Sequence, residues 1–235
     1  MVTLTNERFA PITSSAGYLN VELSEALAAL SNWRTDLYGA TKVTQQAAGF
    51  PEVLSALEPL TQGAIPRELL IGMGEWTAYF NCELRGTEAT SPVGHLSRVL
   101  GCPAVIMKNI PHTYGAPGIK QGRRGAIQFE LFGPIPTEFL NYVRSVSVVA
   151  DWDKWKFSAA GTEQAFEEPA AYVARRVRDR FTPEMLERYC KALGIDVFEE
   201  AAYGPLAYLV ESPAVLPSNA TIKSLREAQE WLEII

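Results

Sequence analysis

Histidine and cysteine are scarce in this chain. Its 235 residues hold two histidines, His95 and His112, and three cysteines, Cys82, Cys102 and Cys190. Three widely spaced cysteines do not make a disulfide framework, and no C-x-x-C pair stands ready for zinc, so they read as small packing residues. Basic charge is in deficit as well: 21 Lys and Arg face 27 Asp and Glu, a formal charge of −6. That balance argues against general nucleic-acid binding, because a phosphate backbone calls for a basic surface. Long apolar runs are missing. Stretches such as Tyr203 to Val210 are far too short to span a bilayer, and Met1 to Ala10 has neither the basic n-region nor the apolar h-region of a secretory signal. The expectation is a cytoplasmic protein with no membrane contact. There is no internal repeat, no low-complexity tract and no composition shift that would mark a linker.

What is present is enough apolar material for a core, 47% of the residues. Leu27, Leu30 and Trp33 follow Ser24, a possible N-cap, and precede Gly39, which predicts a helix; Val53, Leu54 and Leu57 predict a second short one after Pro51. Glu68 to Met73 and Trp76 to Leu84 read as strands, the second alternating as if one sheet face were buried. Ser91, Pro92, the stripe Leu96, Val99, Leu100 and then Gly101 outline a helix, followed by a strand over Ala104 to Lys108. Ile110 to Gly125 is a long loop rich in glycine, proline and cations. Strands are expected over Ala126 to Phe132 and Asn141 to Ala150, with Asp151 to Lys154 turning the chain into Trp155 to Ser158. From Pro169 the pattern is helical. Thr182 caps a helix with Met185, Leu186, Tyr189 and Leu193 on its buried face, a short strand covers Leu206 to Val210, and Ser224 with Glu227 has capping-box spacing for a final helix. The expected fold is one α+β domain over residues 1–235 with a mixed or antiparallel central sheet. Its parts are helical at 20–60, sheet-rich at 68–160 and helical at 169–235.

Chemistry-bearing residues are few. His95 falls inside an amphipathic helix and reads as a boundary residue. His112, in the loop, is the better candidate for a general acid or base. A Cys–His pair would need Cys82 or Cys102 beside an imidazolium, and Cys102 follows a helix C-terminus, where the dipole disfavours a thiolate. The loop has glycines and a lysine but neither the Walker spacing nor G-x-G-x-x-G; Lys120, Arg123 and Arg124 could still engage an anion, against the plainer reading of a solvated mobile loop. Asp151 and Asp153 are explained by the turn, so no metal ligation and no cofactor are implied. Arg175, Arg176, Arg178 and Arg180, placed on a helix, form a solvated, salt-bridged face beside Glu184–Arg188 and Glu187–Lys191 pairs. Trp152 is either an interface anchor at the hairpin tip or a core residue folded under the loop, while Trp155 and Phe157 read as core.

The stretch from Trp155 to Phe198, with FEEP and AYVARRVRDRFTPEMLERYCKALGIDVF, joins EWTAYFNCELRG at Glu75 to Gly86 in a texture that resembles small, uncharacterised bacterial proteins of accessory or immunity-like type. The likeness assigns no named family and supplies no site residues. Core patterning around a long polar loop, a negative charge suited to a toxin or nuclease with a basic surface, and the lack of a catalytic constellation give the expectation of a non-catalytic, acidic protein-binding domain of the immunity or inhibitor kind. Tyr114, Lys120, Arg123, Arg124, Asp151, Trp152 and Asp153 are the expected contact residues. One alternative is a small enzyme acting on an anionic metabolite, with His112 as acid or base and Lys120, Arg123 and Arg124 holding the charge. A structural subunit of an assembly is the other.

Overall fold

The computed structural model describes residues 3–119, 122–137, 141–152 and 154–235. These form an α+β fold around one nine-stranded antiparallel sheet. The strands are β1 (Ser15–Leu19), β2 (Lys42–Gln46), β4 (Arg67–Met73), β5 (Trp76–Asn81), β6 (Ala104–Ile110), β7 (Ala126–Phe132), β8 (Tyr142–Asp151), β9 (Lys154–Gly161) and β10 (Ala207–Glu211), in spatial order 2-10-4-5-1-6-7-8-9. Two short strands, β3 (Leu60–Thr61) and β11 (Ile222–Lys223), pair separately. Helices α1 (Leu23–Tyr38) and α2 (Thr90–Leu100) cover one sheet face; α3 (Pro183–Ala192) packs on the other, beside α4 (Leu225–Trp231) and a 3-10 turn at Glu52–Leu57. Among the described residues no helix is long and apolar enough to cross a membrane.

Several expectations need correction. Trp76 to Asn81 is buried on both faces: Trp76, Ala78 and Phe80 join the core under α3, while Tyr79 joins the core under α1 and α2. Alternation in this strand therefore sorts residues between two cores and does not separate core from solvent. The N-terminal region is not wholly helical, since β2 forms an outer strand, and ahead of it β1 lies in the middle of the sheet between β5 and β6. A Cβ on Gly17 of β1 would stand 2.3 Å from Val93 Cγ2, so the missing side chain is what lets α2 sit close on the sheet. The caps also shift: α1 starts after Glu22 and α2 after Ala89, neither with a side-chain cap bond. Gly39 and Gly101 end these helices with φ of 85° and 64°, and Thr182 and the Ser224–Glu227 box cap α3 and α4 as expected. Residues 169–180 hold only 3-10 turns, Pro169–Val173 and Val177–Asp179, so the arginine cluster does not lie on a helix. Arg188 pairs with Glu168 rather than Glu184, whereas Lys191 does pair with Glu187.

Two buried ion pairs pin helices and loops to the sheet. On β4, Glu68 is fully buried and takes both Nε and Nη2 of Arg34 from α1, at 2.6 and 2.7 Å, together with the Tyr79 hydroxyl at 2.6 Å. The Arg34 guanidinium lies 3.9 Å from the Trp33 ring centre, and Trp33 stacks on His95 of α2 at 4.0 Å. On the opposite face Arg144 of β8 holds Glu167 at 2.6 and 2.9 Å. Tyr172 donates to Glu167 and meets the Tyr189 hydroxyl of α3 at 2.8 Å, which fixes the loop behind the β8–β9 hairpin.

Candidate interaction site

The β8–β9 hairpin closes across Asp151 and Lys154, leaving a two-residue connection whose first residue is Trp152. Hairpins of this length need positive φ at that position, a place ordinarily taken by Gly, Asn or Asp. Trp152 takes it with φ of 51° and projects with 74% of its surface exposed. It stands exposed at the tip and is not a core residue.

The 111–125 loop, described at 111–119 and 122–125, packs there beside this tip. Its described part is held by its own backbone rather than left to solvent. The amides of Thr113 and Tyr114 donate to Arg123 O at 2.9 and 3.0 Å, and the Arg123 amide returns to Thr113 Oγ1 at 2.8 Å. Ala150 of β8 donates to Gly125 O at 2.8 Å, locking loop to hairpin. That fastening places the Arg124 guanidinium between two rings, 4.8 Å from the centre of Tyr114 and 4.7 Å from that of Trp152. Tyr114 is itself 43% exposed. A shallow cleft of about 250 Å³ runs between the loop and the hairpin, with His112, Tyr114, Trp152 and Trp155 on its walls.

His112 uses its Nδ1 to accept the Gly125 amide at 3.0 Å and leans on Trp155, ring centres 5.1 Å apart. Partial burial, then Arg178 and Arg124, lower its pKa, so the ring is neutral at neutral pH with Nδ1 already engaged. Arg178 also lies 5.4 Å from the centre of Trp155. The two cation groups that stand far apart in sequence thus meet around this hairpin, a convergence that only the loop's path creates.

Of the expected contact residues, Tyr114, Arg124 and Trp152 come together. Arg123 turns the other way and pairs with Glu7 at 2.5 Å, and Asp151 is engaged by Lys156. Lys120 and Asp153 lie outside the described residues. Arg178 was missed as a site residue because its sequence neighbourhood pointed to a helix face. Burial raises the pKa of all three free thiols, which disfavours the thiolate a nucleophile needs. Among the described residues no cluster of three or more His, Cys, Asp or Glu side chains has the proximity to hold a metal ion. No family model, curated protein or solved structure matches the chain.

Proposed function

We propose that this chain is a non-catalytic protein-binding domain that anchors a partner on the Tyr114–Arg124–Trp152 stack. The observation that carries the reading is Trp152: a large aromatic side chain, exposed, held at a backbone conformation that glycine or asparagine would adopt at less cost. Trp, Tyr and Arg are the residue types that dominate binding hot spots, and here all three meet in one patch. The setting we propose is that of a cytoplasmic immunity- or inhibitor-type protein. The net charge of −6 steers a basic partner toward the chain, and the locally cationic tip then seats against an acidic or aromatic pocket on that partner. Of the groups in the enzyme alternative, Arg123 lines a different cavity from His112.

Affinity capture from the source cell with immobilised wild type, Trp152→Ala, Arg124→Ala and Arg98→Ala tests this. A protein retained by wild type and Arg98→Ala but lost from the two tip variants is the expected result. If the tip variants retain every partner, or if His112→Ala abolishes turnover of a metabolite while capture is unaffected, the proposal fails.

A further inference from the structure

The sheet face covered by α2 turns polar where the helix begins. Gly17 and Ile106 are opposite each other under α2, and the next pair along β1 and β6 on that face is Ser15 with Lys108. On β7 the same face continues through Gln128 and Glu130. These residues line a cleft of about 170 Å³ walled by the 83–90 segment that leads into α2. Ser15 is only 3% exposed, yet among the described residues its hydroxyl has no hydrogen-bond partner, and it opens on the cleft.

Charge in this cleft is unmatched in both signs. Lys108 is half-buried and makes no ion pair among the described residues; neither do Glu83, Glu88 and Glu130, although all four line the cleft. The other deeply buried carboxylates, Glu68 and Glu167, each hold an arginine. Glu130 is comparably buried at 7% exposure, but only the neutral Gln128 amide and the Tyr142 hydroxyl, the latter at 3.4 Å, reach it. Burial raises its pKa above the ordinary carboxylate value despite Lys108 nearby. Glu88 gives one oxygen to the Thr90 amide at 3.0 Å. Arg85 also lines the cleft, with its guanidinium on the Trp231 ring. Three carboxylates oppose a simple anion. A divalent cation is opposed by the Lys108 ammonium and by carboxylates too far apart to share a metal ion. A ligand carrying both signs answers both halves.

We propose that this cleft binds a small amino acid as its zwitterion. The ligand carboxylate lies between Lys108 Nζ and the Ser15 hydroxyl, neighbours across the β1–β6 ladder, and its ammonium meets Glu130 and Glu88. A cleft of about 170 Å³ has room for about five to seven heavy atoms, the size of glycine, alanine or β-alanine, and none for an aromatic side chain. The site shares no residue with the hairpin tip and stands whether or not the tip binds a protein.

The test is a titration of the ¹⁵N-labelled full chain, followed by amide shifts, with glycine, L-alanine, β-alanine, L-phenylalanine, acetate and methylammonium. At least one of the three small amino acids should give saturable shifts at Ser15, Thr90 and Lys108, and the ranking of L-alanine against β-alanine reads the spacing of the two charges. Acetate and methylammonium, each bearing one charge, and L-phenylalanine should bind at least about tenfold more weakly. Lys108→Met and Glu130→Gln should each cost at least about tenfold in affinity, and Ser15→Ala about threefold or more. Trp152→Ala should change nothing. Thermal melts establish that each variant folds, and if Glu130→Gln does not, Lys108→Met and Ser15→Ala carry the comparison. The proposal is overturned if none of the three small amino acids saturates these shifts at millimolar concentration. It is equally overturned if acetate, methylammonium or L-phenylalanine binds as tightly as the best of them, or if affinity survives Lys108→Met.

Discussion

Trp152 concentrates the functional argument in one residue. A left-handed conformation costs an L side chain about 1–2 kcal/mol, and the cation–π contact with Arg124 returns about 0.5–1 kcal/mol of it. Trp152→Asn, which suits the turn, should therefore leave the melting temperature unchanged or raise it while weakening partner binding by about 2 kcal/mol or more. Thermal melts beside calorimetry on the captured partner check both halves, and a large loss of stability would refute the account of the turn. His95 makes a second residue-scale prediction. Burial against Trp33, then Arg98 and Arg34, lower its pKa below the ordinary histidine value. The unfolded chain therefore binds that proton more readily, so stability present at higher pH is lost as pH falls below the ordinary value and through the folded one. His95→Gln should flatten that slope in urea unfolding series at pH 7.5, 6.5 and 5.5; an unchanged slope would show that the stacked ring titrates freely.

Among the elements, α1 is tied to the sheet by charge as much as by Ala26 and Leu30. Arg34→Met strands the fully buried Glu68 carboxylate and should cost about 3–5 kcal/mol in denaturant unfolding, while Arg34→Met with Glu68→Leu should recover most of it. A double variant as unstable as the single would mean that Arg34 acts by packing and not by pairing. Legibility in the sequence follows the same elements. β7 was read with both its boundaries, because Ile127, Phe129 and Leu131 alternate with Gln128 and Glu130 directly after a glycine-rich loop. β1 was missed although it is central. Ser15, Ala16 and Gly17 have weak strand preference, and a strand buried on both faces shows no polar alternation. β2, at the outer edge, escaped for the opposite reason, its Lys, Thr and Gln composition reading as loop.

At the scale of the whole molecule, a chain of net charge −6 presents an exposed aromatic tip that carries the Arg124 guanidinium. The proposed partner's association rate should fall steeply as ionic strength rises from about 0.01 to 0.15 M, where the screening length shrinks from roughly 30 to 8 Å, with a much smaller change in dissociation rate. Stopped-flow association at a series of salt concentrations measures this, and a salt-independent rate would remove long-range steering from the proposal. The tip itself was half legible. The loop's cations and the turn at Asp151 to Lys154 could be marked from residue types, but that Arg124 enters the stack while Arg123 leaves for Glu7 could not. Adjacent residues in an extended segment point to opposite sides, and which side faces which element is a matter of the tertiary path.

The amino-acid sequence by itself determined the α+β class, most helix stops and the burial of the cysteines. These follow from local periodicity, left-handed glycines and apolar content, each readable within a few residues. Only the tertiary structure decided that the sheet has two covered faces, that β1 is its centre, and that the loop and hairpin bring Tyr114, Arg124 and Trp152 together while leaving Arg123 short of partners. Those facts depend on contacts between residues far apart in the chain, and no local pattern encodes which distant neighbour a side chain will meet.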